Sequence, residues 1–255
     1  MNKKGIAFHC LLIVLLFISI HAAKPTCIDY IGVRLAKIET MEGVYTKEVN
    51  TGKESVKSKI TFYDDVKNNK KHLIVSDSKG SKNDIFIIKD TLFVIDKDNK
   101  TVYFMETGLY GEIGKKMFNI NVFESLSILS QLKNNDSIIS VIDKNKKLNV
   151  SFLSDTSNLI YSAVNVRFNS DSVPELIEMY DWNKKVIMQL HYTNYKDGLP
   201  RAIKTLSQMQ GMVLEEKISI NKLKINQPVA DKYFDFTRKG FKMVSLEEAM
   251  KPFLE

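Results

Sequence analysis

The chain is poor in the residue types that most enzyme chemistry uses. It has two cysteines and four histidines in 255 residues, and Cys10, His9 and His21 all fall in its first stretch. Beyond that stretch Cys27 stands alone, which excludes an internal disulfide, and no adjacent base or cation marks it as a nucleophile. His72 and His191 lie far apart, with no cysteine or carboxylate at ligand spacing, so no metal site is expected and both read as exposed strand histidines. There is no Gly-x-Ser-x-Gly elbow. Gly108 to Lys116 looks like a phosphate loop only superficially, because its first glycine is one residue misplaced and Lys116 stands where Ser or Thr would bind magnesium; it reads as a hinge or loop. Glu215-Glu216 and Glu247-Glu248 are sequence neighbours that point to different sides, not a converging acid pair. No cofactor, no metal and no catalytic residue is expected, and the chain reads as a protein that is not an enzyme.

Long apolar runs are scarce as well. The one clear run, Ile6 to Ile20, follows Lys3-Lys4 and precedes His21-Ala22-Ala23, the zones of an export signal with cleavage after Ala23. It is shorter than the ~20 residues of a spanning helix. Cys27 follows Lys24-Pro25-Thr26, which lacks the small residue before cysteine that lipid attachment needs. The expectation is a signal peptide over 1–23 and one exported domain over 24–255. Net charge is +7, lowered by two when Lys3 and Lys4 leave. The lysine pairs Lys70-Lys71, Lys115-Lys116, Lys146-Lys147 and Lys184-Lys185 mostly sit at apparent turns and read as solvated faces. An exported protein meets little nucleic acid, and none is expected as a partner.

What the chain does have is alternation. Ile28, Ile31, Leu35, Ile38 and Glu42 keep helical spacing, which predicts one amphipathic helix over 28–42. From Val44 the period changes to two, with strands expected near 44–50, 56–64, 71–76, 84–89, 91–96 and 100–106, then 137–143, 147–154, 160–169, 174–181, 185–194, 200–208 and 212–225. The turns Asp96 to Lys100, Asp143 to Lys147 and Asp181 to Lys185 each place Asp and Asn where tight connections want self-bonding side chains. Adjacent strands joined this way form an antiparallel meander. Val164, Val166 and Phe168 alternate with Asn165 and Arg167, and Met188, Leu190 and Tyr192 alternate with Gln189, His191 and Thr193, so one side is apolar and the other wet. The helix and a segment near 115–133, with Phe118, Phe123, Leu126 and Leu129, are the available covers for the apolar side.

The order of features resembles the outer-membrane lipoprotein carrier and sorting family, the LolA-like proteins. The stretches that carry it are Tyr195-Lys196-Asp197-Gly198-Leu199-Pro200-Arg201-Ala202-Ile203, then Ile225-Asn226-Gln227-Pro228 through Tyr233-Phe234-Asp235-Phe236, then Gly240-Phe241, with the hairpin Ile85 to Met105 upstream. The resemblance implies a mainly β (α+β) fold: a strongly curved antiparallel sheet making an incomplete β-barrel, with an N-terminal helix and a helical lid over an apolar cavity. It implies a periplasmic carrier that shields the acyl chains of lipids or lipoproteins, with transient contacts to inner- and outer-membrane proteins. Phe86, Ile88, Met105, Phe118, Phe123, Leu126, Leu129, Val164, Val166, Phe168, Met188, Leu190 and Met212 are the expected cavity and lid residues. The family's Arg-Pro pair followed by an aromatic has no counterpart in Lys57 to Ser76, so no arginine gate is carried over. Two other readings use the same pattern: a lipid- or protein-sensing module of the same fold, and a structural β-sandwich without ligand.

Overall fold

Alternation from Thr40 to Glu106 becomes strand almost without interruption in the computed structural model of the chain. The structure describes residues 34–78, 80–106, 122–123, 125–126, 137–142, 148–153, 161–209, 212–236 and 240–249. Packing divides the chain into two compact units, Ala36–Glu124 with Met188–Glu255, and Met1–Leu35 with Ser125–Ile187.

The larger unit contains β1 (Thr40–Asn50), β2 (Ser55–Asp65), β3 (Lys70–Asp77), β4 (Lys82–Ile88), β5 (Thr91–Asp96) and β6 (Thr101–Glu106). In the smaller unit lie β7 (Ser137–Ile142), β8 (Leu148–Leu153), β9 (Ala163–Phe168) and β10 (Pro174–Tyr180). Then β11 (Val186–Thr193), β12 (Ala202–Met209), β13 (Met212–Ile225) and β14 (Lys242–Ser245) complete the larger one. Its strand order is β14-β6-β5-β4-β3-β2-β1-β13-β12-β11, and the smaller unit's is β10-β9-β8-β7. The ladders given by register are antiparallel except β14 with β6, which is parallel. The protein is mainly β, and its sheet does not close.

The turns work as their composition demands. Asp96 accepts through its carboxylate from the Asn99 backbone N–H at 2.9 Å, and Asp181 accepts from the N–H groups of Asn183 and Lys185 at 2.9 and 2.8 Å. Lys196 and Leu199 exchange backbone hydrogen bonds around Asp197 and Gly198, both at positive φ, which is the two-residue Asp-Gly connection whose twist matches a hairpin. Gly43 is needed for a different reason. A Cβ there would strike the Lys222 carbonyl and meet the Phe62 ring at 2.9 Å, so this position carries close strand approach.

Three expectations change. The helix over 28–42 is not supported: residues 34–36 are helical, and by Thr40 the chain is strand. The reason is pairing, since Thr40–Asn50 is gripped by β2 on one side and β13 on the other. Asn226, at positive φ, clamps the changeover by accepting from the Glu39 N–H at 2.8 Å and donating to the Lys37 carbonyl at 2.9 Å. The helical lid is not supported either, and most of 115–133, with Phe118 and Leu129, lies outside the described residues; Val122–Phe123 form a turn and Ser125–Leu126 are helical. His72 is buried, contrary to the reading of an exposed histidine, because its ring stacks on Phe86 at 3.9 Å and lies near Tyr63 at 5.8 Å. The turn Asp143 to Lys147 and the signal segment also lie outside the described residues.

Candidate ligand-binding face

Each strand of the larger unit has two faces, and register fixes which residues share them. On one face His72, Phe86, Phe93 and Phe104 stand opposite one another across β3 to β6, with Tyr63 next in line on β2. The C-terminal segment covers this face. Tyr233, in the 3-10 turn Asp231–Phe234, stacks on Tyr63 at 4.0 Å, and Phe236 stacks on Phe93 at 4.2 Å and tilts against Phe86 at 5.9 Å. Phe241 joins the same cluster with Ile88. Lys70 adds its ammonium 3.4 Å from Asp231 and 5.8 Å from the Phe234 ring. Further along, on β12 and β13, the same face is charged, with Lys204 and Lys217 on Glu215 at 2.8 and 3.2 Å. This face is therefore already satisfied, by its own C-terminal segment in one half and by water and ion pairs in the other.

The opposite face is mainly apolar. One cross-strand row reads Ile225, Met41, Asp64, Lys71, Ile87, Leu92, Met105, and the next reads Leu223, Gly43, Phe62, Leu73, Ile85, Val94, Tyr103. Tyr45, Ile60, Ile203, Ile220, Leu190 and Tyr192 extend it, all buried. Leu246, just past β14, packs on Ile87, Leu92 and Met105. Ile85, Val94 and Tyr103 are half-buried on this face, as Tyr63, Phe93 and Phe104 are on the other. Lys47 and Glu216, paired at 2.7 Å, mark its polar limit near the hairpin end. Burial, and secondly the Glu216 charge, push the Tyr45 phenol up to about 12.

The smaller unit repeats the division. Val150, Val166 and Ile177 stand opposite one another, as do Phe152, Val164 and Met179, and all are buried with Phe168. On the other side Arg167 donates to Glu175 at 2.6 Å.

The expected site residues therefore fall into several places. Val164, Val166 and Phe168 share the buried face of the smaller unit; Phe123 and Leu126 are also buried. Met105, Met188 and Leu190 belong to the apolar face of the larger unit, with Met188 half-buried. Phe86 and Ile88 are on the opposite side, where Phe236 and Phe241 occupy them, so Phe86 and Met105 cannot touch one ligand across a single face. Met212 is 69% exposed at the start of β13, because it sits at the hairpin end where no strand covers it. Sequence reasoning missed Tyr45, Phe62, Leu73, Ile85 and Val94, which alternation alone could have offered. It also missed Asp64 with Lys71, whose position on this face follows from register rather than composition.

No sequence-family model matches the chain, and no curated protein matches it. Solved structures do. A putative outer membrane lipoprotein-sorting protein domain from Vibrio parahaemolyticus matches with a TM-score of 0.51 at 12% identity, over 82% of this chain and 95% of that one. The fold is LolA-like. A DUF1329 family protein from Desulfovibrio piger matches at TM-score 0.50 and 10% identity, over 82% of this chain and 96% of that one. A LolA superfamily protein from Nitrosomonas europaea aligns at TM-score 0.47 and 10% identity, over 78% of this chain and 91% of that one. At such identities the likeness is one of backbone. Within this LolA-like backbone the stretch Ile225 to Phe241 does two things. Asn226 clamps the start of β1, and the aromatics of this stretch pack on the aromatic face of β2 to β6. Among the described residues no helix is long and apolar enough to cross a membrane.

Proposed function

We propose that the chain is a non-enzymatic periplasmic carrier, which holds acyl chains of lipids or lipoproteins on the apolar face of its sheet and moves them across the cell envelope. The observation that carries this reading is the asymmetry between the two faces. One is covered by Tyr233, Phe236 and Phe241 of the C-terminal segment, while the other is a mainly apolar face, broken by Asp64 and Lys71, on which Ile85 and Val94 keep partial exposure. The half-buried side chains of this face offer apolar area to a further cover, and a hydrocarbon chain is a suitable one. Each methylene withdrawn from water contributes ~0.8 kcal/mol, so a chain of about fourteen carbons gains on the order of 10 kcal/mol before ordering costs. Apolar contacts are non-directional, so the same face accepts chains of different length and releases them without breaking a specific bond. The LolA-like fold supports the reading, because a protein of that backbone is described as lipoprotein-sorting.

Transfer is the property that separates a carrier from a sensor of the same shape. Purified chain loaded with fluorescent lipid from donor vesicles is expected to deliver it to acceptor vesicles faster than spontaneous exchange, in proportion to protein concentration. Binding without accelerated delivery would favour the sensing module, and no binding would favour a closed structural sandwich.

A further inference from the structure

Between Met41 and Ile87 the apolar face carries a pair of charges. Asp64 on β2 and Lys71 on β3 stand directly opposite each other, flanked in the same row by Met41 and Ile225 on one side and by Ile87 and Leu92 on the other. Their side chains are 5% and 12% exposed, and Lys71 Nζ lies 3.5 Å from Asp64 Oδ2, longer than a charge-assisted hydrogen bond. The other oxygen, Oδ1, is buried and accepts no hydrogen bond among the described residues. Burial raises the Asp64 pKa while the nearby ammonium pulls it down. A buried ion pair stabilises a fold no better than apolar residues of the same size, and a buried acceptor without a donor costs free energy. Lys71 thus departs from the solvated-lysine expectation, whereas Lys70, one residue earlier, turns to the C-terminal segment.

We infer that Asp64, held by Lys71, is the polar anchor of the apolar face and accepts a hydrogen bond from an N–H donor at the head of an acyl-chain ligand. The inference rests on the carrier reading and adds a ligand class to it. Two kinds of amphiphile supply that donor, the amide of an N-acylated group and the ammonium of an ethanolamine phospholipid. A ligand lying along the neighbouring row, over Leu73, Ile85 and Val94, would bring its head to the Asp64 row one step away.

The test uses the full chain stripped of lipid and two pairs of palmitoyl probes. One pair is the N-methyl amide and the methyl ester; the other is lysophosphatidylethanolamine and lysophosphatidylcholine, which has no N–H. At least one donor-bearing probe is expected to bind about tenfold or more tighter than its twin, the size of a hydrogen bond to a charged acceptor; which pair discriminates identifies the source. In the double variant Asp64→Leu with Lys71→Met, which removes both charges together, that ratio is expected to fall to about one while the donor-less twin binds as before. Asp64→Asn, close to the native shape, is expected to lower the ratio severalfold and serves if the double variant fails to fold. Binding with a ratio near one in the native chain, or a ratio unchanged in the variants, would overturn the anchor and leave the carrier reading standing. Failure of all four probes to bind would overturn both.

Discussion

Replacing Ile85 and Val94 together by tryptophan is expected to lower affinity for a palmitoyl probe about a hundredfold, with little change in thermal stability. The two residues face each other across β4 and β5, are half-buried, and lie in the row that runs from Leu223 to Tyr103. On the carrier reading, two indoles at these positions would displace several methylenes of ligand. Losing four at ~0.8 kcal/mol each gives about 3 kcal/mol, or roughly two orders of magnitude. The opposite premise leads to a different phenotype. If these side chains were enclosed in a finished core, the added bulk would force off-rotamer neighbours and destabilise by about 1 to 3 kcal/mol per site. Binding and thermal melting measured on one preparation separate the two cases, because bulk added to a ligand-covered face lowers binding and leaves the melting temperature unchanged.

The second large effect concerns the C-terminal segment. Truncation after Gln227 is expected to abolish cooperative unfolding. The deletion removes Phe234, which is buried, together with Tyr233, Phe236 and Phe241, and exposes His72, Phe86, Phe93 and Ile95. It also strips β14 from β6 and leaves a bare edge. The three phenylalanines at about 2 kcal/mol each amount to about 6 kcal/mol, comparable with the whole stability of an ordinary domain, about 5 to 15 kcal/mol. Tyr233→Ala alone removes one half-buried stacking partner and is expected to cost only about 1 kcal/mol. Circular dichroism with urea titration reads both. A truncated chain that melts within a few degrees of the parent would show that the aromatic face does not depend on its C-terminal cover.

Much of the strand pattern was legible because period-two alternation and Asp/Asn turns are local signals. Each strand expected from the sequence corresponds to one of β1 to β13, with shifts of a few residues at the ends. β14 was not legible, since Lys242-Met243-Val244-Ser245 has no clean alternation and its partner β6 is far away in sequence. Helical spacing over 28–42 was present in the residues, but Thr40–Glu42 pair on both sides and tertiary pairing outweighs local period. Face assignment failed between Phe86 and Met105, because parity has to be carried through two turns and a one-residue error exchanges the sides. Asp64 and Lys71 were invisible for a related reason. Both residue types read as solvent-facing until register brings them opposite each other between Met41 and Ile87.

The central claim is that the face carrying Phe62, Leu73, Ile85 and Val94 is covered by hydrocarbon in the working protein. Mass spectrometry of an organic extract from the chain, expressed in a bacterial envelope and purified without detergent, tests it most directly. The account predicts acyl lipid at close to one equivalent per chain in the native protein, and much less in the Ile85→Trp, Val94→Trp variant. A native extract free of lipid, from protein that melts cooperatively, would contradict it.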